Sequence, residues 1–226
     1  LLVTRKVNPQ AYDEFLLAGQ QDGTAAGFWR AIAHLRRAIA LDSNFAEPHV
    51  ALVGAFLHGR VMPPKDAEPL AEAEVARAIA IDPGSALAHR ALAMMKTSQW
   101  RWGEADREYR RAVELNPGLS GPRAGYAELL TCLGRSDEAV QQASRAAAID
   151  PLRSTTQLAH AYFYANRFQQ AVAASRKGVA FDSTDWLAHI LLGLSLSALG
   201  QHQEAVAAIG VALKARQQGQ AAPVIA

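Results

Sequence analysis

The sequence predicts an all-α chain built by stacking short helix–turn–helix units, and three observations carry that expectation. Pro83, Pro117 and Pro151 recur every 34 residues. Small residues keep the same phase: Ala71, Ala105, Ala139, Ala171 and Ala205, then Ala78, Ala112, Ala146, Gly178 and Ala212. A small residue at a fixed point of each helix lets a neighbouring backbone approach closely. Finally, the stretch 87–117 reads as two amphipathic helices and a stop. Its second helix places Ala105, Tyr109, Ala112 and Val113 on one face. A pair this small cannot bury that face alone, so it needs neighbours of the same shape.

The period, the small residues and the helix endings IAIDP, VELNP, AAIDP and VAFDS resemble the tetratricopeptide repeat (TPR), a unit of two helices in 34 residues. The resemblance implies a right-handed TPR α-solenoid of about six repeats. A lead-in over 1–11 precedes repeats at about 12–45, 46–85, 86–119, 120–151, 152–185 and 186–219, and a tail covers 220–226.

Each unit has its own reading. Asn8-Pro9 forms a turn before the first helix. The first repeat keeps Ala31, Leu35 and Ala38 but has Asp22-Gly23-Thr24 where the apolar end of its first helix is expected. The second repeat is six residues longer than the period, and the surplus sits in a loop over 59–69, read as a contact site or as a tolerated lengthening. The third and fourth are regular, with Trp100 and Trp102 packing the turn of the third. The fifth is two residues short near Pro151 and carries Phe163, Tyr164 and Phe168. The sixth is regular, and with no full capping helix after it the last repeat exposes an apolar edge.

Composition narrows the function. A net charge of +2 gives no electrostatic case for direct nucleic-acid binding or an anionic membrane. One cysteine excludes an internal disulfide framework. The longest apolar run, 187–199, is too short and too interrupted for a membrane span. No signal peptide is read at the start. Because the chain begins Leu1-Leu2, it is expected to be a piece of a longer protein. The expected compartment is the cytoplasm, or outside it if the parent has an upstream membrane span.

No catalytic or metal constellation emerges. There is no phosphate-binding glycine loop, no His-Glu-x-x-His and no Cys-x-x-Cys. His49, His89 and His189 share the fourth position of their repeats, which favours packing over metal ligation. Cys132 is a lone thiol without an identifiable partner. The expectation is therefore no enzyme activity, no cofactor and no metal.

In TPR folds the concave surface is lined by positions 2, 5, 9, 12 and 13 of each first helix. Carried onto this sequence, the resemblance implies a peptide-binding groove of Arg90, Met94, Thr97, Glu128, Thr131, His160, Phe163, Tyr164 and Leu194. Carboxylate-clamping TPR domains use several basic residues there. Only Arg90 is basic here, so that mode is disfavoured. A mixed groove suits an extended peptide or an amphipathic helix.

The segment WRWGEADREYRRAVELNP, from Trp100 to Pro117, resembles WxWxxAExEFxRAIELNP of the C-terminal TPR regions of bacterial signalling proteins. Asn8 to Tyr12, Met62 to Pro69 and Asp150 to Leu152 with Tyr162 to Phe168 agree with it. In that family the TPR region follows a winged-helix regulator, adenylate cyclase or protein kinase domain. The resemblance implies a protein-interaction or sensory module with a protein or peptide partner, and a homodimer through a terminal repeat as a second mode of association. A free-standing scaffold or assembly factor is the alternative.

Overall fold

The structure is a computed structural model that describes residues 6–20, 24–58 and 62–220. Among them there are twelve α-helices and no strand: α1 (Pro9–Ala18), α2 (Ala25–Leu41), α3 (Ala46–His58), α4 (Pro64–Ile81), α5 (Ala86–Ser98), α6 (Trp102–Leu115), α7 (Ser120–Cys132), α8 (Ser136–Ile149), α9 (Pro151–Tyr164), α10 (Phe168–Phe181), α11 (Trp186–Ala198) and α12 (His202–Gln220). They form two compact units, Leu1–Asn116 and Pro117–Ala226. Within the first unit α1–α2, α3–α4 and α5–α6 pack as pairs, with α2 against α3 and α4 against α5. Within the second, α7–α8, α9–α10 and α11–α12 repeat the pattern, and α9 lies against both α7 and α11.

The periodic small residues are the contact points. Ala71, Ala105, Ala139 and Ala171 are fully buried, as are Ala38, Ala78, Ala112 and Ala146. Around them the first unit packs Ile32, Leu35, Leu52, Phe56, Val75 and Met95. In the second unit, Ala159, Ala174 and Leu191 form one cluster and Val172, Leu196 and Ala205 another.

Helix ends follow two local rules. Between the helices of a pair, the chain enters the left-handed region at Trp100 (φ 61°), Gly134 (72°), Asn166 (58°) and Gly200 (78°). The next residue's N–H reaches back to the carbonyl of Lys96, Leu130, Tyr162 or Leu196, a Schellman closure. Between pairs, an Asp or Asn stops the helix. Asp42, Asp82, Asn116, Asp150 and Asp182 each donate their backbone N–H to the small residue four positions earlier. The side chains of Asp42, Asp82 and Asp182 then accept the amide two residues on. Proline is not required: the loops 42–45 and 182–185 have the same form with Ser at its position. The helix stop belongs to the Asx turn, with proline as reinforcement.

Several boundaries differ from the sequence expectation. α1 begins at Pro9, within the stretch read as a lead-in, because Asn8 caps it: its Oδ1 accepts the Gln10 amide at 2.9 Å. Asp22 and Gly23 lie outside the described residues, while Thr24 caps α2 through its hydroxyl. Of the 59–69 loop, 59–61 also lie outside them, and 64–69 are helical. α4 has 18 residues against 14 in α6, α8 and α10, so most of the surplus adds one helical turn. Pro64 suits this start, since proline at a first helical position loses no hydrogen bond. The fifth pair is short because Asp150 alone links α8 to α9, ending one helix and capping the next through the Arg153 amide. The polar residues from Gln217 to Gln220 continue α12, and 221–226 lie outside the described residues. Val206, Val211 and Leu213 of α12 are exposed.

Tight packing at α11–α12 gives a first test. A Cβ at Gly193 would stand 2.5 Å from Ile209 Cγ1 and 3.0 Å from the Ala205 carbonyl. Gly193→Val is expected to lower unfolding free energy by roughly 1–3 kcal/mol through overpacking. Gly103→Ala, in open space on α6, is expected to raise it by about 0.5–1 kcal/mol. Urea denaturation of both variants measures the contrast.

Candidate functional site

The candidate residues sit on the first helix of each pair, on the stripe left over after the core and the second helix are served. In the first unit, Arg90, Met94 and Thr97 occupy α5 at i, i+4 and i+7, one continuous face. All three are half-buried. Thr97 spends its hydroxyl on the Ala93 carbonyl at 2.9 Å, so it contributes a methyl group more than a donor. The Arg90 Nε is buried without a hydrogen-bond partner. Met94 lines a cleft of about 450 Å³ with Phe56, Leu57, Met62, Ala67 and Glu68. The insertion in the second repeat thus supplies Met62 and the start of α4 to this cleft, a contribution its composition alone did not locate.

In the second unit, Glu128 and Thr131 lie on α7, His160, Phe163 and Tyr164 on α9, and Leu194 on α11. The α9 residues form an aromatic cluster. His160 and Tyr164 meet with tilted rings, centroids 4.7 Å apart, and Phe163 meets Tyr164 edge-on at 5.3 Å and Phe168 at 5.8 Å. Phe163 is half-buried against the core, whereas Tyr164 is 54% exposed and Leu194 40%. Burial holds the His160 imidazole below its usual basicity, so this face is neutral and aromatic at pH 7. Thr131, like Thr97, returns its hydroxyl to its own helix.

Trp100 and Trp102 are in edge-on contact at 5.2 Å. Trp102 is half-buried, but Trp100 is 76% exposed, which corrects the expectation that both pack the turn. Trp100 holds the left-handed backbone position of the turn.

A polar motif that the sequence reading missed runs beneath these faces. The fourth-position residues are hydrogen-bonding clips rather than apolar wedges. His49 Nδ1 meets Glu74 Oε2 at 2.5 Å, and His89 Nδ1 meets Glu108 Oε2 at 2.6 Å. Arg123 Nη1 donates to Gln142 Oε1 at 2.9 Å. His89 and Arg123 also reach the carbonyls of Pro83 and Pro117, and His189 reaches that of Ser183. Each clip joins a first helix to its second helix, its preceding loop or both. The first pair reverses the polarity: Glu14 on α1 meets His34 on α2 at 2.6 Å, which holds the Glu14 carboxyl below its usual range. The signal was present as Glu74, Glu108 and Gln142, which recur every 34 residues. Cys132 is exposed at the end of α7. Among the described residues, no three His, Cys, Asp or Glu side chains are grouped to hold a metal ion.

His49→Ala removes a buried clip and leaves Glu74 unpaired. It is expected to cost roughly 2–3 kcal/mol in urea denaturation. His160 makes a pH prediction. Its folded pKa lies below the unfolded value of 6.5. As pH falls through that value the unfolded chain gains a proton first, so stability drops and then levels once the folded ring protonates. Thermal unfolding from pH 7.5 to 5 is expected to show this loss, and His160→Phe to reduce it.

No family model and no curated protein matches the sequence. Solved structures share its architecture. PilF of Pseudomonas aeruginosa superposes on 77% of this chain and 77% of its own, with a TM-score of 0.66 and 20% identity. A thermophilic TPR protein of Thermus thermophilus covers 87% of this chain and 99% of its own, with a TM-score of 0.67 and 16% identity. YrrB, described as a TPR protein with an unusual peptide-binding site, covers 81% and 92%, with a TM-score of 0.56 and 14% identity. At these identities the likeness is one of fold, and it agrees with the twelve helices: the chain has the all-α TPR solenoid fold.

Proposed function

We propose that the chain is a protein-interaction module that binds an extended peptide or an amphipathic helix across the outward stripes of its first helices. The observation that carries this reading is the open aromatic face of α9, where Tyr164 is exposed beside His160 and Phe163, with Leu194 exposed on the adjoining α11. A ring cluster with one face in the core and one in solvent offers rigid apolar area at low entropic cost. The Met94 cleft of the first unit offers a second, more adaptable apolar surface. The peptide-binding site of the fold neighbour YrrB supports the same use of this architecture. Among the candidate residues on these faces the acid and base are Glu128 on α7 and His160 on α9, too little to assemble a catalytic constellation.

The proposed setting is the C-terminal region of a bacterial transcription regulator or signalling protein in the cytoplasm, supported by the Trp100–Pro117 segment and its three companions. A free-standing scaffold is the alternative. No helix among the described residues is long and apolar enough to cross a membrane. The parent gene separates the settings: an open reading frame that starts near Leu1 sinks the regulator version.

Binding is tested on side chains whose loss leaves the core intact. Tyr164→Ala and Leu194→Asp are expected to weaken recovery of the bound partner in pull-down by at least about tenfold, the scale of a hot-spot loss. Unchanged recovery with both variants counts against the reading.

A further inference from the structure

The fifth helix pair lacks the clip. At the two positions where the second, third and fourth pairs set His49–Glu74, His89–Glu108 and Arg123–Gln142, it has Thr155 and Ala174. Thr155 turns its hydroxyl back to the Pro151 carbonyl at 2.5 Å, and Ala174 has nothing to offer it. The space that a clip occupies elsewhere stays open as a cleft of about 610 Å³. One wall is α9, with Pro151, Thr155, Leu158 and Tyr162 at i, i+4, i+7 and i+11. The other is α10, where Gln170, Ala174, Lys177 and Phe181 have the same spacing. Eleven residues of helix span roughly 16 Å, the length of three turns. The α9 stripe is a different one from His160, Phe163 and Tyr164.

Lys177 is the one charged residue lining the cleft, and Asp150 and Asp182 stand just beyond the ends of its walls. α9 and α10 contain Arg153, Arg176 and Lys177 and no Asp or Glu between their ends. Arg176 is paired with Glu204 and Arg153 lies 3.9 Å from Asp150. Lys177, on the cleft wall, is exposed and has no ion-pair partner among the described residues. We infer that this cleft docks an amphipathic helix of a partner protein that carries acidic residues beside its apolar stripe. The stripe lies over Ala173 and Ala174 between Tyr162 and Phe181, and a carboxylate pairs with Lys177. Small residues on the floor let a helix approach to ordinary packing distance, and the walls supply the apolar contact.

Two synthetic helical peptides of about 16 residues test this on the full chain. Both carry Leu at i, i+4, i+7 and i+11; one is flanked by Glu and the other by Lys. Fluorescence anisotropy is expected to show the acidic peptide binding at least about tenfold more tightly, with amide NMR shifts at Leu158, Ala173 and Phe181. Lys177→Glu is expected to reverse the preference. The double change Thr155→Arg with Ala174→Gln installs the pair that fills the fourth repeat, and it is expected to reduce acidic-peptide binding by at least about tenfold. If that variant melts early, Ala173→Glu at an exposed position carries the same expectation. Leu194→Asp is expected to leave this binding unchanged, which separates it from the aromatic face of α9. Equal affinity for both peptides, no binding of either, or shifts that map to α11 overturns the inference.

Discussion

Close approach of paired helices is the constraint on which everything else in the molecule depends. Ala71, Ala105, Ala139 and Ala171 have no accessible surface, and Gly193 has no room even for a methyl group. Where backbones come this near, there is little apolar side chain between them, and the core of each unit is thin. Stability then rests on many repeated contacts rather than on a few large residues. It also explains why half the chain is hydrophobic while only 7% is aromatic.

A thin core raises the value of polar fastening. The clips from His49, His89 and Arg123 sit at the edge of each pair, where a small side chain would leave a gap and a large apolar one would meet polar backbone. Each charged or amide partner is supplied by the same column of the second helix. The swap from His–Glu to Arg–Gln keeps the bond while changing charge and length. The reversal to Glu14–His34 keeps it while exchanging the helices. The position is therefore defined by a hydrogen bond across the pair, which a reading of one residue column at a time does not reveal.

The repeat itself was legible because its cause is local in sequence. A small residue every 34 positions and an Asp or Asn at the helix endings are visible without coordinates. What escaped was set by neighbours far apart in the chain. Proline recurs at three helix ends, but Asp42 and Asp182 stop their helices without one. The loop expected over 59–69 ends early: Pro64 starts a helix, and Pro69 sits within its early turns. Of the candidate groove that the resemblance implies, Tyr164 and Leu194 are exposed. The part played by Met62 depended on where an extra helical turn would carry the chain.

The fifth pair shows how a repeat array acquires individuality. Shortening the junction to Asp150 puts Pro151 at the first position of α9, where the other prolines lie in a four-residue loop. The carbonyl of Pro151 then lies in the first turn of the helix, where it accepts the hydroxyl of Thr155, the short residue at the fourth position, as the Pro83 and Pro117 carbonyls meet His89 and Arg123. What is missing is the bond across the pair, since Thr155 is short and Ala174 on the second helix has no polar group to meet it. The pair with the shortened junction is thus also the one that lacks the fastening and holds the cleft. α9 remains held by its core face, since Ala159 packs in a cluster with Ala174 and Leu191. Core packing and edge fastening are separable in this fold, so an edge can change its chemistry while the stack keeps its form.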